Sequence, residues 1–450
     1  MFYIQNKGNE GSKGTLEETR MDVTYFDRAI ETASREDLTR RQTARMQTLL
    51  REVLAANSFY GKKLRDAGLT DARDFKSAAD ITRLPFTRKQ ELVDDQDAHL
   101  PFGTNLTYPL ERYIRLHQTS GTTGKPMRWL DTRESWDWWA RCWGAVYHGA
   151  GVGAHDRVFF AFSFGPFIAW WAAWAGSEKI GALALSGGAQ DSLQRLRNLV
   201  ELGATALCCT PSYALHLAEI AAKEKIDLRA ASVRRIVVAG EPGGSIPGTK
   251  ARIEEAWNAK LTDHTGATEV GAHGFSCVAE RGVHLNEGEF LIEVLDPKTG
   301  KPADEGELVI TNLDRLGSPI IRYRTGDAVK LNRATCDCGR TFARMEGGII
   351  GRIDQMLIVR GVNIFPSAIE AIVRAYPEVQ EFAVIIDRVQ EMDELEIQVE
   401  VAGTNPQAVA DAIARDASHC LGLRVGVKLA TPETLPRFEL KARRITDRRK

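Results

Sequence analysis

The chain has few cysteines, almost no net charge and no apolar leader, and each of these shortages excludes a class of protein. Seven cysteines in 450 residues are too few for a disulfide-stapled secreted scaffold. A formal net charge of −1 gives no general attraction to nucleic acid or anionic lipid. Residues 1–20 are polar and lack the apolar stretch of a secretory signal, so we expect a disordered lead. These features favour a cytoplasmic protein that binds neither nucleic acid nor membrane.

The chain also lacks an unbroken apolar segment that would cross a membrane. Residues 158–176 carry no charge, but Gly165 and Pro166 interrupt their centre and would break a spanning helix. A buried strand at 158–164 followed by a helix at 167–175 explains the run better.

Strand-like apolar runs alternate with helical patterns through the middle of the chain. The runs at 206–209 and 235–239 precede helices predicted from about residue 211 and over 247–260. This alternation is typical of an α/β protein in which helices cover parallel sheets. From 290 to 331 the pattern changes to short strands with turns, which predicts a small antiparallel β unit.

The C-terminal part has a different character. A helix predicted at 369–375 and strands at 382–386 and 395–401 indicate a compact α+β segment. Because 450 residues are many for one domain, we expect two. The predicted N-terminal domain spans 21–352, and a small, mobile lid domain spans 353–450.

The most informative motif joins two glycines, four hydroxyls and one lysine without a bulky side chain. It comprises Thr119, Ser120, Gly121, Thr122, Thr123, Gly124, Lys125 and Pro126. Glycines let backbone N–H groups approach one anion, while hydroxyls and lysine add donors and positive charge. The motif therefore suits a polyphosphate, although its spacing is not that of the Walker P-loop. A polar surface turn is the alternative.

Further motifs follow downstream. They are Gly266-Ala267-Thr268-Glu269, Tyr323-Arg324-Thr325-Gly326-Asp327, Gly351-Arg352-Ile353-Asp354 with Arg360-Gly361-Val362-Asn363, and Leu435-Pro436-Arg437 with Lys441. In this order and spacing, the motifs resemble those of the adenylate-forming superfamily of acyl-CoA and aryl-CoA ligases. The resemblance runs from about residue 30 to the end of the chain.

Within that superfamily, the chain most resembles the phenylacetate–CoA ligase branch. The segments that carry this resemblance are Ala239-Gly240-Glu241-Pro242, Gly282-Val283-His284-Leu285-Asn286-Glu287, Cys336-Asp337-Cys338-Gly339-Arg340 and Asn363-Ile364-Phe365-Pro366. The resemblance implies a two-step reaction. A carboxylate attacks the α-phosphorus of ATP and expels pyrophosphate, and coenzyme A then takes the acyl group and releases AMP.

The first step brings two anions together, so its site must gather cations and fixed donors. The resemblance implies that residues 119–125 hold the β- and γ-phosphates. It also implies that Thr268 donates to the α-phosphate and that Glu269 ligates Mg²⁺. A surface carboxylate is the alternative for Glu269.

The remaining nucleotide contacts come from three other segments. Asp327 is expected to accept hydrogen bonds from both ribose hydroxyls, and Arg352 to approach ribose or phosphate oxygens. Ala239, Gly240 and Glu241 follow a predicted strand, which places them at the carboxyl edge of a sheet, around the adenine.

The C-terminal segment supplies the predicted catalytic cation, the hinge and the coenzyme A contact. Lys441 is predicted to bridge the attacking carboxylate and the α-phosphate, with Arg437 or Arg443 as alternatives. Asp354 lies in the family's hinge segment, and Gly361 would admit the pantetheine arm of coenzyme A. For Asp354 and Gly361, a plain interdomain turn is the alternative.

Cys277, His284, Cys336 and Cys338 form a separate group. Three thiolates and one imidazole fill a tetrahedral zinc shell and leave no position for substrate, so we predict a structural zinc that pins the β unit. Members of this branch resemble the chain at these positions. Four unrelated reduced side chains are the alternative.

Eight of the nine tryptophans lie between Trp129 and Trp174. Aromatic stripes at helical spacing usually belong to a core, but this density predicts that part of the cluster bounds a planar acid. The resemblance implies an acid pocket made by Phe162, Phe164, Gly165, Pro166, His264, Thr265 and Gly266. At Thr265, relatives often carry an aromatic residue.

We therefore expect a two-domain enzyme that uses ATP and Mg²⁺ to join a small aromatic acid, phenylacetate or a close relative, to coenzyme A. One alternative is an adenylating enzyme that passes the acyl group to an amine or a carrier-protein thiol. Another is a nucleotide-binding regulatory protein without turnover. The sequence leaves a homodimer open.

Overall fold

The computed structural model describes residues 23–119, 126–360, 362–389, 392–438 and 444–449. The N-terminal segment 1–20, which we expect to be disordered, lies outside these ranges. No helix within them is long and apolar enough to cross a membrane.

Eleven α-helices lie in the described ranges. They are α1 (Arg28–Glu31), α2 (Arg35–Ala56), α3 (Ser58–Asp66), α4 (Lys89–Ala98), α5 (Arg133–Gly149), α6 (Ile168–Lys179), α7 (Ser192–Glu201), α8 (Pro211–Glu224), α9 (Pro247–Trp257), α10 (Pro366–Arg374) and α11 (Pro406–Leu421).

Twenty β-strands accompany them in the same ranges. They are β1 (Tyr113–Gln118), β2 (Arg128–Thr132), β3 (Arg157–Phe160), β4 (Leu183–Ser186), β5 (Ala206–Cys209), β6 (Arg235–Val238), β7 (Lys260–Ala267), β8 (Gly271–Ser276), β9 (Val283–Leu285), β10 (Phe290–Leu295), β11 (Glu305–Asn312), β12 (Tyr323–Asn332), β13 (Arg344–Met345), β14 (Gly351–Arg352), β15 (Leu357–Val359), β16 (Val362–Ile364), β17 (Val379–Val389), β18 (Met392–Val401), β19 (Gly426–Leu429) and β20 (Ile445–Asp447).

One large sheet organises the N-terminal part, with strand order β10-β11-β12-β13-β9-β8-β7-β6-β5-β3-β4 and β14 paired to β12. Strands β3 to β7 pair in parallel, which confirms the α/β class. The predicted antiparallel β unit is not a separate sheet. Because β8 returns antiparallel directly beside β7, the β unit continues the parallel sheet.

The uncharged run at 158–176 divides into β3 and α6, as predicted, although the strand is shorter than expected. β3 ends at Phe160 because the N–H of Phe162 donates back to the carbonyl of Phe160. The helix predicted near residue 211 is α8. The Thr210 side chain accepts from the N–H of Tyr213 and Pro211 occupies the first turn, a strong start signal.

Of the hydrophobic cores in the described residues, two lie on opposite sides of residue 352. The larger lies within residues 38–345 and includes the fully buried rings of Trp138, Trp143 and Trp257. The smaller lies within residues 357–445, where α10 and α11 cover strands β17 and β18.

The domain boundary predicted after residue 352 falls between these cores. Among the polar contacts that cross this boundary, two start from helices α8 and α9 of the larger part. Arg252 Nη1 donates to the carbonyl of Val379 at 2.7 Å, and Arg437 Nε lies 3.8 Å from a carboxylate oxygen of Glu219. The two parts are therefore held together by contacts that a rotation would break.

Three histidines of the larger part are buried as neutral groups. Burial lowers the pKa of His117 and of His273 to about 4 and that of His264 to about 3. Burial also raises the pKa of Asp263 to about 6. This carboxyl therefore takes up a proton more readily in the folded chain and offsets part of the effect of the histidines. Since the unfolded chain protonates three histidines near pH 6.5 and the folded chain resists this protonation, the unfolded state binds more protons in this range.

We therefore expect the free energy of unfolding to fall as the pH drops from about 6.5 to about 4. Urea unfolding followed at several pH values measures this decline. His273→Gln, which cannot take up a proton, should make the decline shallower by about one proton's contribution. A stability that stays level or rises toward pH 4 would contradict the assignment.

Candidate active site

The two ends of the glycine–threonine motif lie side by side between β1 and β2. The N–H of Thr119 donates to the carbonyl of Met127 at 2.9 Å, and the N–H of Met127 donates to Thr119 Oγ1 at 3.0 Å. The N–H of Gln118 donates to the carbonyl of Pro166 at 2.8 Å. The predicted phosphate loop and the predicted acid-pocket segment are thus joined. Residues 120–125, Ser120 to Lys125, lie outside the described residues.

A buried arginine ties this loop to the Thr268–Glu269 turn. Arg315 Nε and Nη2 donate to the two carboxylate oxygens of Asp131, each at 2.8 Å. Arg315 Nη1 donates to the carbonyls of Thr268 at 2.8 Å and Glu269 at 3.1 Å. Both charged side chains are fully buried. Because Asp131 lies on β2, a single guanidinium sets the spacing between the two predicted phosphate-binding segments.

Glu269 lies among charged groups of both signs. Lys89 Nζ lies 3.6 Å from Glu269 Oε1. Burial, followed by the carboxylates of Glu269 and Asp327, raises the pKa of Tyr323 well above its usual range, and Arg352 opposes this rise. Glu269 and the two predicted ribose ligands therefore act electrostatically on one tyrosine.

Asp327 and Arg352 are direct neighbours. Their backbones pair between β12 and β14, and Arg352 Nη1 lies 3.4 Å from Asp327 Oδ1. Arg352 Nη1 also donates to the carbonyl of Thr325 at 2.9 Å. Gly326 has a φ of +75°, which a glycine adopts without strain. The turn thus presents a carboxylate and a guanidinium side by side.

The predicted adenine segment follows β6 at the carboxyl edge of the parallel strands. Ala239 is buried and Gly240 has a φ of +93°. Glu241 Oε1 accepts from the N–H of Ser212 at 2.7 Å, so this carboxylate caps the start of α8. At the same edge, the Ser245 hydroxyl donates to the carboxylate of Asp263.

Aromatic side chains form a continuous wall beside β7. The rings of Phe162 and Trp170 stack with centroids 3.5 Å apart. Trp170 lies 6.3 Å from Trp143, whose ring is 4.3 Å from that of His264. The wall therefore runs from the segment after β3 to the strand that leads into Thr268.

Of the other predicted pocket residues, Phe164 and Gly165 contact Trp171, whereas Thr265 lies against β8. Phe164 lies 4.7 Å from Trp171, and the carbonyl of Gly165 accepts from Trp171 Nε1 at 2.9 Å. Thr265 is different, because a Cβ on Gly274 would lie 2.1 Å from Thr265 Oγ1. Thr265 therefore faces β8, and alternation along the strand separates it from His264.

Three residues predicted for the second domain lie wholly or partly outside the described residues. Lys441 and Gly361 lie outside the described residues, and so does the side chain of Asp354, whose backbone belongs to a short 3₁₀ helix, Ile353–Gln355. The predicted catalytic cation, coenzyme A contact and hinge therefore remain predictions.

Cys277, His284, Cys336 and Cys338 converge at one buried point, with all ligand atoms within 4.8 Å of one another. Cys277 Sγ lies 3.8 Å from Cys336 Sγ, and Cys338 Sγ lies 3.6 Å from His284 Nε2. A tetrahedral zinc with Zn–S bonds of about 2.3 Å spaces its sulfur ligands about 3.8 Å apart. His284 Nδ1 faces the carbonyl of Phe342 at 3.3 Å, which leaves Nε2 to bind a metal.

Sequence reasoning missed three charged residues of the candidate active site. Arg315 and Asp131 are far apart in the sequence, and no spacing signal joins them. Asp263 precedes His264 near the end of a parallel strand, the usual place for a ligand contact. That position was a usable signal.

Comparisons with known proteins identify the family of the chain. Residues 361–449 match the AMP-binding enzyme C-terminal domain family. The phenylacetate-coenzyme A ligase of Thermus thermophilus is 34% identical in an alignment that covers 94% of this chain and 99% of that protein.

Solved structures show the same architecture. The 2-hydroxyisobutyryl-CoA ligase in its postadenylation state, in complex with R3-HIB-AMP, matches with a TM-score of 0.89 and 30% identity, covering 98% of this chain and 95% of that one. In its thioesterification state with 2-HIB-AMP and CoA, the same ligase matches with a TM-score of 0.70 and 33% identity, covering 94% and 92%.

These matches span nearly the whole length of each protein. The chain belongs to the phenylacetate–coenzyme A ligase family of AMP-forming acid–thiol ligases.

Proposed function

We propose that this acid–thiol ligase activates a small aromatic carboxylic acid with ATP and transfers the acyl group to coenzyme A. The observation that carries the aromatic assignment is the wall formed by Phe162, Trp170 and Trp143 beside His264. A planar ring stacks well on such a wall. The name of the Thermus thermophilus relative supports phenylacetate, whereas the structural neighbour acts on a small aliphatic acid.

The position of the wall suits the first step of the reaction. β7 carries His264 and ends at Ala267, one residue before Thr268. An acid held against the wall would therefore place its carboxylate beside the predicted α-phosphate donor. The carboxylate oxygen forms a bond to the α-phosphorus, and the bond to the bridging oxygen of pyrophosphate breaks.

Different charged groups would bind different parts of ATP. Asp327 and Arg352 would bind the ribose, and Lys441 would neutralise charge between the carboxylate and the α-phosphate. Glu269 fits a magnesium site, because Mg²⁺ often takes one or two carboxylates together with waters and phosphates. The bound ion would neutralise phosphate charge.

The small domain would then reorient for the second step. The higher TM-score to the postadenylation state than to the thioesterification state supports an arrangement suited to the first half-reaction. Rotation would break the contacts of Arg252 with Val379 and of Arg437 with Glu219. The thiolate of coenzyme A would then attack the acyl carbon and expel AMP.

A panel of aryl and alkyl acids tests the substrate assignment. In an AMP-release assay with ATP, Mg²⁺ and coenzyme A, we expect kcat/KM for phenylacetate-like acids to exceed that for long-chain fatty acids by about tenfold or more. Preference for long-chain acids would contradict the aromatic assignment. Acid-dependent pyrophosphate exchange without coenzyme A-dependent AMP release would favour an amine or carrier-protein acceptor.

We also propose that the three cysteines and His284 hold a structural zinc ion. The site would connect the end of β8, strand β9 and the turn at 336–338. Metal analysis of the purified protein should find about one zinc per chain, and Cys336→Ser should lower both the zinc content and the melting temperature. Cys420→Ser, at an exposed cysteine outside the group, is the matched control. A thermally stable, zinc-free preparation would remove the assignment.

A further inference from the structure

A histidine of the aromatic wall has one ring nitrogen paired and the other free. His264 Nδ1 lies 2.7 Å from the carbonyl oxygen of Gly274. Because a carbonyl only accepts, Nδ1 carries the hydrogen, and the neutral ring has its lone pair on Nε2. Burial lowers the pKa of His264 to about 3, so the ring stays neutral at ordinary pH.

The free nitrogen lies beside Gly266. His264 is 5% exposed, yet a Cβ on the exposed Gly266 would lie 3.1 Å from Nε2. The absence of a side chain at Gly266 therefore leaves space beside Nε2, two residues before Thr268. In the part of the chain that the structure describes, no group donates a hydrogen bond to Nε2.

The neighbouring tryptophan adds a donor. Trp143 Nε1 is buried without a hydrogen-bond partner among the described residues, and its ring contacts that of His264. A hydroxyl group suits such surroundings, because it donates one hydrogen and accepts others. An ammonium group suits them poorly, because the burial that keeps His264 uncharged also disfavours a substrate cation.

We propose that His264 determines substrate specificity and that the acid carries a hydroxyl group which donates to Nε2. This inference rests on the proposed function, because it places the acid against the aromatic wall. An acid without the hydroxyl would displace water from Nε2 and leave a buried acceptor unpaired. Such a loss discriminates strongly between otherwise similar substrates.

Matched substrates test the proposal. Phenylacetate is compared with its 2-, 3- and 4-hydroxy and methoxy derivatives by kcat/KM for AMP release with saturating ATP and coenzyme A. The methoxy group keeps the oxygen and removes the donor. We expect at least one hydroxy acid to exceed both its methoxy partner and phenylacetate by about tenfold or more.

Variants assign the preference to His264. His264→Phe, which keeps a ring but no acceptor, should reduce the preference to within about threefold, and His264→Gln, which keeps an acceptor oxygen, should restore part of it. His273→Gln, at a buried histidine outside the wall, should keep the full preference. Melting temperatures verify that each variant is folded.

The outcomes separate this inference from the proposed function. Aryl acids used without a hydroxyl preference, or a preference unchanged in His264→Phe, would overturn the role of His264 and leave the aromatic assignment intact. 2-Hydroxyisobutyrate and isobutyrate form a second pair. If only this pair is used and the hydroxy acid is preferred, the aromatic assignment falls and the role of His264 stands.

Discussion

The buried ion pair between Arg315 and Asp131 is the constraint on which the geometry of the site depends. Two charges without solvent are costly unless each is paired and hydrogen-bonded. Here the guanidinium binds both carboxylate oxygens of Asp131 and the carbonyls of Thr268 and Glu269. The strand that leaves the glycine–threonine loop is thereby fixed against the turn that follows β7. Removing either partner would leave a buried charge at a cost of about 3–5 kcal/mol.

The large sheet places the remaining groups around this point. The parallel strands bring the segments after β3, β6 and β7 to one edge, because the carboxyl ends of parallel strands meet at the same edge of a sheet. The antiparallel continuation carries Asp327 and Arg352, which act with Glu269 on the ionisation of Tyr323. The large sheet therefore carries the predicted ribose contacts and the strand that leads into Thr268 and Glu269, whereas the glycine–threonine loop joins a separate pair of strands, β1 and β2.

Local patterns were enough to predict much of this arrangement. The alternation of strand and helix patterns located α8, and the motif order identified the family. The sequence did not predict that the β unit continues the main sheet, since strand pairing depends on contacts between distant segments. For the same reason it did not join Arg315 to Asp131, or separate Thr265 from His264, whose opposite faces follow from the pairing of β7 with β8.

The central claim is that Arg315 and Asp131 set the geometry of the adenylation step. The double variant Arg315→Met/Asp131→Leu removes both charges without leaving one unpaired, so it should still fold, with a moderately lower melting temperature because the carbonyls of Thr268 and Glu269 lose their donor. We predict that its acid-dependent ATP–pyrophosphate exchange falls by about tenfold or more, with a smaller loss in thioester formation from a supplied acyl-adenylate. Exchange at the original rate in the folded double variant would contradict the account.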